Sequence, residues 1–287
     1  MTAVLFGVAA ALCLAVHDLL ARVYAPRLGP LRMGLWIMVL SGLMMTAIVA
    51  VRGTLFAASA EGLVWALGLG VAYAAGAGGI YKAFSLGPIS VVGPLTSIYP
   101  VFVVMWGLVH GLAPTPLQWI ATIVALSGAA LVSRSSTPDG GFNAVLPGKL
   151  AALLIACAVC SAGYAAAVIL GQKAAVMIGE IEAAWLSRAT AIALFAMVAA
   201  GEPRLQPVRP RAWWGIAAMG ALDSGGLISV NASGHLPGKE FAAVGISGYG
   251  AMSVMLAALL LKESVSMAQW AGIAMISIGI AMLAWPQ

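Results

Sequence analysis

The stretch Gln118-Trp119-Ile120-Ala121-Thr122-Ile123-Val124-Ala125-Leu126-Ser127-Gly128 returns later as Gln269-Trp270-Ala271-Gly272-Ile273-Ala274-Met275-Ile276-Ser277-Ile278-Gly279. The Gln-Trp start and the closing glycine recur at one offset, 118 to 269 and 128 to 279. Neither copy carries a charge or the alternating polarity of a barrel strand, so each reads as an apolar helix. Working outward, more landmarks recur in the same order. Leu86-Gly87-Pro88 resembles His235-Leu236-Pro237, Trp36 matches Trp185, and Cys13 matches Cys160. The offset drifts from 147 (13 to 160) to 151 (118 to 269), as loop insertions and deletions produce.

The solvent for these helices follows from composition. Of 287 residues, 62% are hydrophobic and 8% charged, and the mean hydropathy is +1.04. Soluble domains carry about 25% charged residues. A chain this apolar has no polar shell to turn toward water, and lipid is the remaining solvent. Abundant glycine lets such helices approach closely. Trp36, Trp119, Trp213, Trp214, Trp270 and Trp285 fall near expected helix ends, where tryptophan anchors at the membrane interface.

A span needs about 20 mostly apolar residues. Cutting at charges, prolines and glycine clusters predicts ten spans, at 3–21, 33–51, 62–84, 88–110, 117–134, 149–171, 183–201, 212–232, 241–261 and 268–285. Residues 1–16 are read as part of the first span, because no basic segment precedes them. The fold class is therefore an all-α integral membrane bundle of two five-helix repeats, at 1–137 and 149–287 with a linker at 138–148. An odd number of spans per repeat sends the second into the membrane upside down relative to the first. Inverted repeats of this kind are the architecture of many secondary transporters.

The same residues carry a family resemblance. Gly87-Pro88-Ile89-Ser90-Val91-Val92-Gly93-Pro94, Tyr99-Pro100-Val101-Phe102, Gln118-Trp119 and Ser127-Gly128 resemble the first repeat of EamA-type members of the drug/metabolite transporter superfamily. Leu259-Leu260-Leu261-Lys262-Glu263-Ser264, Gln269-Trp270-Ala271-Gly272 and Ile278-Gly279 resemble the second. The resemblance implies ten helices, a cavity walled by helices one to four and six to nine, and secondary transport, often export of amino acids or related metabolites. Two departures stand out. The family's acidic residue after helix four has a counterpart in Glu263 but none in His110-Gly111-Leu112-Ala113, and Arg188 has no counterpart near Val39.

Ionisable groups inside spans cost several kcal/mol unless a cavity or partner receives them. They are the candidates for substrate binding and coupling: His17 and Asp18 in helix one, Lys82 at the end of helix three, Arg188 in helix seven and Asp223 in helix eight. Asp223 or Asp18 with Arg188 would complement a zwitterion, and a buried carboxylate or His17 would carry a coupling proton. Without a functional role, Arg188 would pair with Glu180 or Glu182. Tyr73, Tyr81, Tyr99, Trp185, Asn231 and Tyr249 are candidate cavity residues. Pro94 and Pro100 in helix four, and Gly245, Gly248 and Gly250 in helix nine, are candidate hinges or, alternatively, close-packing positions.

Several classes are excluded. Lys and Arg are scattered singly, so no nucleic-acid footprint exists. No nucleotide-binding loop and no HExxH motif occurs, and no cofactor or metal is expected. Cys157 and Cys160 form a CxxC within an apolar run and read as buried small residues. The expected partners are a small zwitterionic or cationic substrate, a coupling proton and the lipid bilayer, in the cell (inner) membrane as a monomer or homodimer. The Lys and Arg distribution places both termini outside; the family resemblance implies the cytoplasm.

Overall fold

The computed structural model describes residues 2–28, 30–54, 58–86, 92, 95–96, 98–135, 147–200, 212–261 and 265–285. Every regular element among them is helical. The α-helices are α1 (Ala3–Leu28), α2 (Pro30–Arg52), α3 (Ala60–Leu86), α4 (Tyr99–Val109), α5 (Pro116–Ser135), α6 (Leu150–Ile178), α7 (Glu180–Ala200), α8 (Trp213–Ala232), α9 (Phe241–Ile246), α10 (Tyr249–Leu261) and α11 (Met267–Ala284). Six stretches among the described residues are long and apolar enough to cross a membrane: Arg32–Arg52, Ala60–Ile80, Leu150–Ile178, Glu180–Val198, Phe241–Leu260 and Met267–Ala284. Large apolar side chains cover the outside of the bundle, with Leu43, Ile155, Met197 and Leu259 all exposed. Lipid tails solvate such a surface, whereas water would not.

The expected helix ends differ from the observed ones where charge was used as a stop signal. Spans expected to close at 21 and 171 continue to Leu28 and Ile178. Charge does not terminate a helix; backbone geometry does. The α6 helix ends at Gly179, whose φ of 92° suits only glycine and whose N–H bonds the Ala175 carbonyl. The fourth span, expected as one run from 88, is helical at Val92, Leu95 and Thr96, turns at Ile98 and restarts as α4 at Tyr99. Pro100 therefore sits in the first turn of the helix that restarts there, where its missing N–H leaves no bond unmade, and the interruption lies just before it. The ninth span is two helices, α9 and α10, parted by a turn at Ser247-Gly248.

The repeated Gln-Trp pair has a local cause. In α11, Ser266 accepts a bond from the Gln269 N–H, and Gln269 Oε1 accepts one from the Ser266 N–H at 2.8 Å. In α5, Thr115 and Gln118 exchange the same two bonds at 3.3 and 2.9 Å. Both helices thus start with a capping box, which satisfies backbone donors that lipid cannot. Ser266→Ala should lower stability by about 1 kcal/mol, read as a drop in the thermal midpoint of the purified protein. An unchanged midpoint would remove the cap from the account.

Glycines set which helices meet. A Cβ on Gly128 would lie 2.7 Å from the Gly272 carbonyl oxygen, and one on Gly279 would lie 2.6 Å from that of Ala121. This closes α5 against α11. A Cβ on Gly79 would lie 2.7 Å from the Cys160 nitrogen, closing α3 against α6. Gly7 packs on the Ala242 carbonyl and Gly245 on Val4 and Gly7, so α1 and α9 touch through backbone. Elsewhere α1 also packs on α8, α2 and α3 both pack on α7, α2 reaches α8, and α4 packs on α6. Most of these contacts join the first half of the chain to the second, so the halves interdigitate.

Trp119, Trp214, Trp270 and Trp285 are exposed, as interface anchors are. Trp36 and Trp213 instead meet edge to face at 4.9 Å and pack against the core of α2, α7 and α8.

Candidate functional site

Arg188 stands nine residues into α7 and is 1% exposed. Three short approaches bury it. Gly70 of α3 packs under the Ser187 carbonyl, Gly42 of α2 leaves room beside the Arg188 Cβ, and Gly220 of α8 packs on the backbone of Ile37 and Ser41. The helices α2, α3, α7 and α8 therefore converge on the guanidinium and leave it almost no surface open to solvent. An unpaired guanidinium is untenable there.

Its partner comes from α8. Arg188 Nη2 donates to Asp223 Oδ2 at 2.6 Å, and Asp223 is 4% exposed. The other carboxylate oxygen accepts a 2.6 Å bond from the Tyr73 hydroxyl of α3. The Tyr73 ring also lies 4.9 Å from the guanidinium carbon, so it satisfies the anion with its hydroxyl and faces the cation with its π system. Arg188 Nη1 points to the Met38 sulfur at 3.3 Å, and Nε is buried with no hydrogen-bond partner. The cluster is charge-balanced and leaves the Nε–H donor unused.

Beside it, the Ser41 and Ser224 hydroxyls meet at 2.6 Å, and Ser224 donates to the Gly220 carbonyl. One flank is apolar: Met33, Ile37, Ala74, Ala77, Phe195 and Met219. From the other flank a tyrosine chain leads across the bundle. Tyr73 meets Tyr164 of α6 edge to face at 6.1 Å, and Tyr164 meets Tyr99 of α4 at 6.2 Å. Tyr99 is buried among residues of α1, α6, α8 and α9, so the chain links the ion pair to the bundle centre.

The structure thus brings together Arg188, Asp223 and Tyr73, with Tyr99 reached through Tyr164. Of the charges expected to complement a zwitterion, Arg188 and Asp223 are found joined to each other as an ion pair. Glu182 is not the arginine's partner; it accepts from Thr54 at 2.7 Å and lies 3.8 Å from Arg52. Asn231 is fully buried, about 12 Å along α8 from Asp223. Its Nδ2 reaches the Glu180 carbonyl at 3.4 Å while Oδ1 is unsatisfied. Trp185 donates to Thr46, tying α7 to α2 away from the ion pair. His17 and Tyr249 are half-buried, and Lys82 is exposed. A Cβ at Gly248 would meet Ile280 at 3.2 Å, and one at Gly250 would meet open space. The side chains of Asp18 and Tyr81, and Pro94 altogether, lie outside the described residues, as do Glu263, residues 138–146 of the linker and most of the Gly87–Pro94 motif.

Reading the sequence alone passes over Tyr164, Met38, Ser41 and Ser224. For Tyr164 a signal existed. At the offset that matches Cys13 to Cys160, it stands where His17 stands in the first half.

Comparison with known proteins agrees with this architecture. Residues 1–134 match the family model described as the EamA-like transporter family. A solved crystal structure, 18% identical, aligns over 98% of this chain and 96% of its own with a TM-score of 0.80, so the two share a fold. No curated protein matches the chain.

Proposed function

From the premise that residues 1–134 are those of an EamA-like transporter, part of the drug/metabolite transporter superfamily, we propose that this multi-pass membrane protein is a secondary transporter that exports amino-acid-like zwitterions by alternating access. The buried Arg188–Asp223 pair is its substrate-responsive element. It consists of ten spans in two inverted repeats, 1–137 and 149–287, in the cell membrane.

The helix contacts support the repeat reading. Exchanging α1 with α6, α2 with α7, α3 with α8, α4 with α9 and α10, and α5 with α11 maps the stronger contacts between the two halves onto one another. The α3–α6 pair becomes α8–α1, α3–α7 becomes α8–α2, and α4–α6 becomes the contact of α9 and α10 with α1. The glycine contact of Gly128 on Gly272 becomes that of Gly279 on Ala121. This is the behaviour of a pseudo-two-fold axis between α5 and α11, α2 and α7, about which alternating access rocks.

Charge balance carries the substrate reading. A monocation that took Asp223 would leave Arg188 buried and unpaired. A zwitterion offers its ammonium to Asp223 and its carboxylate to the guanidinium fork, so no buried charge is orphaned when the pair opens. An organic-cation exporter is the alternative. Asp223, relieved of Arg188 and opened to water, would then also be the group that takes the coupling proton.

The test is gradient-driven flux in proteoliposomes with labelled amino acids and organic cations in parallel. Saturable amino-acid flux that collapses with the proton gradient is expected. Flux of organic cations with none of amino acids would overturn the zwitterion reading, and loss of gradient dependence would remove proton coupling.

A further inference from the structure

We propose that the groove between α4 and α6 is a binding site for an anionic phospholipid, with its phosphate on Lys173 and an acyl chain along α6. The site is separate from the ion pair, and its occupant is a membrane component rather than the transported solute.

The groove has a volume of about 720 Å³. Leu154, Ala158, Ala162 and Ile169 of α6 form one wall, and Phe102 of α4 with Ile98, the residue before that helix, forms the other. Ile98, Phe102 and Leu154 are each more than 40% exposed, on the outer surface of the bundle. In a membrane-spanning chain that surface faces lipid, so the groove fills from the bilayer. The exposed Ala158 and Ala162 leave the space that a larger residue would fill. From Leu154 to Lys173 the helix rises about 28 Å, ample for an acyl chain in a hydrocarbon core about 30 Å thick.

The groove's polar content selects the headgroup. Ser161 spends its hydroxyl on the Leu95 and Thr96 carbonyls at 3.1 and 3.3 Å. Lys173 is then the charged group among the described lining residues. Its ammonium lies 4.5 Å from the Trp65 ring centroid and 5.8 Å from that of Trp106. Among the described residues no carboxylate lies within ion-pair distance of it. Two π faces hold the charge in place while leaving N–H donors for an anion. Trp65 lies five residues from the start of α3 and Trp106 three from the end of α4. That is the depth at which tryptophan meets headgroups. His110 stacks on Trp106 at 4.0 Å and fixes that ring.

The experiment is native mass spectrometry of the purified full-length protein titrated with phosphatidylglycerol and with phosphatidylcholine of the same chains. Phosphatidylglycerol should bind about ten-fold tighter, because both lipids offer Lys173 a phosphate but the choline cation of phosphatidylcholine neutralises its own. Lys173→Gln should abolish the preference, Lys173→Arg should keep it, and Ala162→Trp should weaken retention of the preferred lipid. Equal retention of both lipids by the unaltered protein, as a shell of annular lipid gives, would overturn the proposal. So would a preference that survives Lys173→Gln. Each variant is compared at matched monodispersity. Because the readout is lipid retention and not flux, a failure here leaves the transport proposal standing.

Discussion

Asp223→Ala is expected to destabilise the protein by about 3–5 kcal/mol and to abolish flux, because it strands a guanidinium that is 1% exposed. The loss comes less from the missing attraction than from the charge left behind. Arg188→Ala strands the carboxylate and should cost a similar amount, softened by the Tyr73 hydroxyl that still donates to it. The double variant Arg188→Met/Asp223→Leu removes both charges and should recover most of the stability, as apolar replacements of buried pairs do. It should recover none of the flux, since nothing then answers a zwitterion. Tyr73→Phe leaves the pair closed and removes one bond to an ionised group, worth about 1.5–3 kcal/mol. Thermal midpoints and proteoliposome flux on the same preparations give both readouts. If the double variant were as unstable as either single variant, pairing would not be the source of the loss. If it transported normally, the cluster would be structural only.

Two neighbouring glycines on α3 should respond in opposite directions. A Cβ on Gly79 would meet the backbone of Cys160 and Ala156 at 2.7–2.9 Å. Backbone cannot rotate away as a side chain can, so Gly79→Ala must push α3 off α6, at about 1–3 kcal/mol. A Cβ on Gly78 meets nothing within 4 Å. Gly78→Ala should be neutral or stabilise by up to about 1 kcal/mol, through helix propensity alone. The seam joins the two halves of the chain, so the Gly79 variant should also impair flux. Equal thermal midpoints for the two variants would mean that close approach of α3 and α6 contributes nothing to stability.

Much of the bundle is legible in the sequence. Lipid offers no hydrogen bonds, so each apolar run must satisfy its own backbone, and a run of that length can only be a helix. The predicted 212–232 and 268–285 fall within one residue of α8 and α11 for that reason. Where the reading slipped, at Lys173 and in helix one, it had treated a charge as a boundary. Long charged side chains can lie along apolar or aromatic surface, so charge is a poor punctuation mark. Lys173 does so, between two tryptophan rings.

The ionisable candidates show the opposite limit. Arg188 and Asp223 were visible as expensive residues in apolar helices, but their pairing was not. They lie 35 positions apart, and Tyr73 lies 150 from Asp223. Whether two such side chains meet depends on how each helix is rotated about its axis and how closely the axes approach. That is decided by glycines such as Gly42, Gly70 and Gly220, whose packing partners are other helices.

By itself, then, the sequence determined the solvent, the helices and the duplicated capping and glycine pattern, because these follow from local composition and from backbone demands that each segment meets alone. Only the tertiary structure decided that Arg188 and Asp223, two of the charges read as able to complement a zwitterion, meet in one closed pair. It also decided that the fourth span turns at Ile98, so that Pro100 falls in the first turn of α4, and that Tyr164 joins the site. These are properties of helix–helix geometry, and one-dimensional spacing does not carry the rotation that sets it.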